Sequence, residues 1–146
     1  MLSLLLASLH HLTLLGLIVM VSRQGFLLQQ SPLPLAALGK LDKGVGMGSG
    51  FMLVIGICRV LWGEKGWAFY QGNPFFWAKM ATFVLIGLLS IRPTLLFIRW
   101  ERAHARDRSY TPPDKELAVS RQFIVIELAL VCLLFIFAAA MARWPF

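Results

Sequence analysis

Four stretches of the chain are almost free of charge for long enough to cross a bilayer, and short polar segments separate them. A helix needs about 20 mostly apolar residues to span the hydrocarbon core. Residues 2–21 read LSLLLASLHHLTLLGLIVMV, and residues 46–62 read GMGSGFMLVIGICRVLW. Residues 74–98 form the third stretch, interrupted by Arg92 and Pro93, and residues 121–143 form the fourth. The pattern predicts an all-α fold in which residues 1–146 make one integral membrane domain, an up-down-up-down four-helix bundle. PLPLAAL, residues 32–38, is too short and too Pro-rich to span, so it predicts a surface turn or a short interfacial helix. The first stretch has no Lys or Arg before its apolar run and no small-x-small cleavage site. It is expected to be a retained helix rather than a cleaved signal peptide.

Composition agrees with burial in lipid. The 146 residues are 58% hydrophobic, with mean hydropathy +0.73, against about 45–50% apolar residues in ordinary soluble domains. A formal net charge of +7 would point to nucleic acid on a soluble protein. Here the basic residues flank apolar stretches, which fits membrane topology and anionic lipid better, so no nucleic-acid partner is expected. Arg23, Lys40 and Lys43 lie between the first two spans; Arg99, Arg102, Arg106, Arg108 and Lys115 lie between the last two. Cationic segments stay cytoplasmic, which predicts extracytoplasmic termini and a multi-pass membrane protein. Trp62, Trp67, Trp77 and Trp144 then fall near the outer boundary and Trp100 near the inner one, as an interfacial belt would. Residues 101–116 read as a cytoplasmic hairpin loop. Cys58 and Cys132 show no metal-ligand spacing and read as small hydrophobes.

Ionisable groups within spans are costly and usually face a bundle interior or a cavity. The chain has His10 and His11 in the first span, Arg59 in the second, Lys79 in the third and Glu127 in the fourth. At a rise of about 1.5 Å per residue, the histidines lie roughly 12–15 Å below the outer end of their span, and Arg59 and Lys79 about one turn below theirs. Glu127 belongs to the opposite half. Lys79 and Arg59 at this depth either snorkel to the headgroups or face a ligand. Adjacent histidines point about 100° apart on a helix, so both cannot face one site equally. Several cations in one leaflet with no neighbouring carboxylate suit an anionic ligand such as porphyrin propionates or a lipid phosphate. An imidazole near the midplane suits haem iron. The glycines of GVGMGSG, residues 44–50, lack the strand that a phosphate loop follows. Gly46 and Gly50 instead read as a small-xxx-small pair for close helix packing.

LASLHHLTLLGLIVM, GICRVLWG, KGWAFYQGNPFFWAKM and IRPTLLFIRW together resemble an uncharacterised family of small bacterial four-span membrane proteins. More distantly, Leu9-His10 and Trp77-Ala78-Lys79 resemble motifs of the HemJ-type protoporphyrinogen oxidases and the related CopD-type membrane proteins. That resemblance implies haem b as cofactor, His10 as an iron ligand or active-site residue, Lys79 as a functional lysine, and oxidoreductase chemistry. The chain departs from the HemJ pattern after the first span, where VSRQGFLLQQSPLP carries no histidine. A second axial ligand would come from Met, Lys, water or another subunit. Two other readings fit the same sequence. One is a non-enzymatic subunit of a larger membrane complex; the other is a small metal or anion transporter, which with four spans requires a homo-oligomer.

Overall fold

The computed structural model describes residues 1–63 and 65–143; Trp144 lies outside them. The chain forms α1 (Leu2–Leu27), α2 (Leu35–Trp62), the short α3 (Gly66–Gln71), α4 (Pro74–Arg106) and α5 (Asp114–Arg143). The described residues contain no strand. All four long helices are apolar enough to cross a membrane. α1 packs against α2 and α5, and α4 packs against α5 and α2. The circuit is therefore α1-α2-α4-α5, with α1 diagonal to α4 and α2 diagonal to α5. Packing is most extensive within the hairpins α1-α2 and α4-α5. The start of α1 and the end of α5 share one end of the bundle, called here the terminal end. The α1-α2 and α4-α5 turns share the loop end.

The helices outrun the apolar stretches. α2 begins at Leu35, so half of PLPLAAL is its first turn rather than a separate surface element. Leu35 and Leu38 pull that turn inward, since both are buried in the core with Val21, Leu27, Leu28, Phe97, Trp100 and Ile124. α4 continues through Pro93 to Arg106. Proline removes one backbone donor, so the Leu89 carbonyl loses its usual helical partner, but Pro93 is buried against the bundle and packing holds the helix together. Residues 101–106, expected in a loop, are helical, and so are residues 114–116. The true turn is residues 107–113, where Asp107 accepts bonds from the Ser109 amide and hydroxyl at 2.9 and 2.7 Å. Those bonds hold the Asp107 carboxyl below the usual carboxylate range.

Side chains lock both ends. Asn73 caps α4 by accepting from the Phe75 amide at 3.0 Å, and it donates to the Met141 carbonyl of α5 at 3.1 Å. Arg121 donates from Nε and Nη2 to the Leu28 carbonyl at 3.0 and 2.7 Å, which satisfies a helix-end acceptor of α1. Trp100 does not belong to an interfacial belt. It is 0% exposed and donates to Glu116 Oε2 at 2.7 Å, while Arg99 pairs with the same carboxylate. Trp62, Trp67 and Trp77 are exposed at the terminal end, as a belt requires.

The glycine contact sits on a different face from the one expected. A Cβ built on Gly46 or Gly50 meets nothing within 4 Å, whereas on Gly44 it comes 2.9 Å from Met20 Sδ and on Gly48 2.9 Å from Leu17 Cδ2. Gly44 and Gly48 are four residues apart and share one face. That face lies against α1, and Gly46 and Gly50 point away from it.

Candidate functional site

Two polar layers cross the bundle. The first lies toward the terminal end. His10 of α1 is half-buried and within electrostatic reach of Arg59 of α2 and Lys79 of α4, and Arg59 also acts on Lys79. Three helices thus deliver three nitrogen groups to one region. Gly56, on α2 three residues before Arg59, faces the imidazole: a Cβ there would sit in ordinary contact, 3.9 Å from His10 Cε1. His10 Nδ1 is buried without a hydrogen-bond partner. Among the described residues, no carboxylate pairs with Arg59 or Lys79.

His11 does not join this group. Its side chain is exposed, and its Nδ1 lies 2.7 Å from the Ala7 carbonyl one turn back on its own helix. The two rings meet edge to face with centroids 6.1 Å apart, as the angular offset of neighbouring helical residues requires. Of the two histidines, only His10 is aimed at the bundle interior. His104, expected in a loop, lies in the last turns of α4, far from the first layer.

The second layer lies toward the loop end and is acidic. Asp42 of α2 accepts from the Thr94 hydroxyl of α4 at 2.9 Å and from the Gln24 amide of α1 at 3.4 Å, both on Oδ1. Glu127 of α5 lies beside Ser90 of α4 and within electrostatic reach of Asp42. Gln24 is 2% exposed and Glu127 3%. Every long helix contributes a side chain. Counting residues along α1 from His10 to Gln24 at about 1.5 Å each puts the layers about 20 Å apart.

Sequence reasoning found Glu127 but not its setting. Asp42 stands between Lys40 and Lys43 in GKLDKG, which reads as a solvated connector, and only the early start of α2 carries it inside. Gln24 and Thr94 carry no charge and gave no signal.

Neither layer has the make-up of a transition-metal site. No group of three or more His, Cys, Asp or Glu among the described residues is arranged to hold a metal ion. A haem iron needs fewer protein ligands, and His10 offers one imidazole. Its neighbours Arg59 and Lys79 are cations that could meet anionic groups of a bound molecule.

One family model, described as "Predicted membrane protein (DUF2214)", matches residues 2–144. No curated protein matches the chain, and no solved structure does.

Proposed function

We propose, for a chain that belongs to the DUF2214 family of predicted membrane proteins, that it binds an anionic, largely apolar molecule in the layer formed by His10, Arg59 and Lys79. One observation carries this reading: three helices place three basic groups together in lipid-spanning segments, with His10 Nδ1 buried and unpartnered. Cations held this way are costly unless an anion or a cavity compensates them.

Among anionic apolar molecules, a porphyrin uses all three residues. Arg59 and Lys79 receive its carboxylates, Arg59 through a planar fork suited to bidentate pairing, while His10 orients the macrocycle. Haem b bound here would supply one-electron chemistry that the side chains lack. The same binding without redox turnover makes the protein a porphyrin handler. The distant resemblance of Leu9-His10 and Trp77-Ala78-Lys79 to the HemJ-type pattern supports this class. The distribution of Lys and Arg supports extracytoplasmic termini and, with them, a site in the outer half of the membrane, here read as a bacterial inner membrane.

The test is the absorption spectrum of the protein purified in mild detergent after expression with added haem, oxidised and then reduced with dithionite. A Soret band with sharpened α and β bands on reduction, lost in His10→Ala, supports the reading. A colourless wild-type protein that also fails to retain protoporphyrin removes it and favours a non-enzymatic subunit of a larger complex.

A further inference from the structure

The acidic layer has a composition that the outer-site reading does not use. Glu127 is 3% exposed, and its Oε1 has no hydrogen-bond partner. Ser120, two turns earlier on the same face of α5, is fully buried, and its Oγ is also unpartnered. The cations nearest in sequence are engaged or face outward. Arg121 is bound to the Leu28 carbonyl, Arg92 of α4 is exposed over the Phe123 ring, Lys43 of α2 reaches Glu101 at 4.0 Å, and Arg23 of α1 is exposed. Two carboxylates therefore face each other's fields inside a bundle without a described basic partner. An ionised carboxylate in so dry a place requires a counter-charge.

We propose that Asp42 and Glu127, with Gln24, Ser90 and Thr94 around them, form a binding site within the bundle for a small hard cation, a proton or an alkali-metal ion. The donor set supports that chemistry. It contains carboxylate, hydroxyl and amide groups and no thiolate or imidazole, which suits hard cations rather than copper or zinc. The Ser90 hydroxyl supports it too. Its single hydrogen is donated to the Ile86 carbonyl at 2.9 Å, so a proton on Glu127 lets the carboxyl donate to Ser90 while that bond stays intact. The titratable groups facing Glu127 are few. Asp42 approaches from α2, α1 presents uncharged Gln24, and α4 presents Ser90 and Thr94.

Dicyclohexylcarbodiimide tests this, because it adds covalently to protonated carboxyls in apolar surroundings. The full chain in sodium-free lipid vesicles is treated across the pH range in which it stays folded, and the labelled residue is found by mass spectrometry. The expected result is labelling at Glu127 that declines as pH rises and is absent in Glu127→Gln. Asp42→Asn removes the neighbouring negative charge, so labelling at a fixed pH near the midpoint falls at least about twofold. Sodium or lithium chloride that slows labelling, where choline chloride does not, identifies an alkali ion competing for the site. Equal rates in all three salts identify a proton site. No labelling at any pH, or labelling of Glu127 that ignores both pH and Asp42→Asn, overturns the proposal. Retained folding of Asp42→Asn, read by circular dichroism, keeps that comparison valid.

Discussion

Thr94 donates its hydroxyl to Asp42 Oδ1 at 2.9 Å, and this bond ties α4 to α2 in the half of the bundle near the loops. Asp42 is half-buried, and its second donor, Gln24, stands farther off at 3.4 Å. Thr94→Val keeps the side-chain shape and removes the better donor to a carboxylate. The expected cost is about 1–3 kcal/mol of bundle stability, measured by reversible unfolding in mixed micelles. Thr94→Ser, which keeps the hydroxyl, is expected to recover most of it.

The glycine faces of α2 predict opposite outcomes for one substitution type. Gly46→Ala and Gly50→Ala put a methyl into open space and gain up to about 1 kcal/mol from helix propensity. Gly44→Ala and Gly48→Ala bring the methyl within 2.9 Å of the side-chain ends of Met20 and Leu17, which must shift, and are expected to lose that gain and cost about 1 kcal/mol. The same unfolding assay ranks the four variants.

Asn73 serves two helices at once, through the Phe75 amide and the Met141 carbonyl. Asn73→Ala loses the α4 cap and the tie to α5, with an expected cost of about 1–3 kcal/mol. Asn73→Asp keeps the cap acceptor but cannot donate to Met141, so it should fall between wild type and Ala. Hydrogen exchange of the first turn of α4 separates the contributions: the cap loss shows there, while loss of the tie shows at the end of α5.

The two histidines should behave unlike each other in any ligand assay. His10→Ala is expected to lower retention of porphyrin about tenfold, the loss of a buried polar contact. His11→Ala is expected to change it by less than about twofold, since that ring is exposed and bonded to its own helix and surface changes away from a site are usually near neutral. Titration of protoporphyrin fluorescence against detergent-purified protein checks both.

The four spans were legible because lipid imposes a length and a hydropathy that few other environments demand. His10, Arg59 and Lys79 were legible as a group because a charge inside a span is conspicuous. The second layer was not. Asp42 looks solvated among Lys40 and Lys43 until α2 is known to begin at Leu35, since one extra turn of helix decides which side of the membrane boundary a residue occupies. Trp100 misled for a related reason. An indole near a span end reads as an interfacial anchor, and only the partner Glu116, sixteen residues on, turns it into a core residue. The Gly44 and Gly48 contact depended on the rotation of α2 about its own axis, which a run of alternating glycines leaves open.

The circuit of helices has a mechanical consequence. α1 and α4 sit on a diagonal, as do α2 and α5, and the firmest packing lies inside each hairpin. The bundle therefore resembles two stiff boards with a softer joint between them. Both polar layers are stitched across that joint: His10 and Arg59 on one board face Lys79 on the other, and Asp42 on one faces Thr94 and Glu127 on the other. A charge gained or lost in either layer therefore falls on the seam between the two hairpins rather than within one of them.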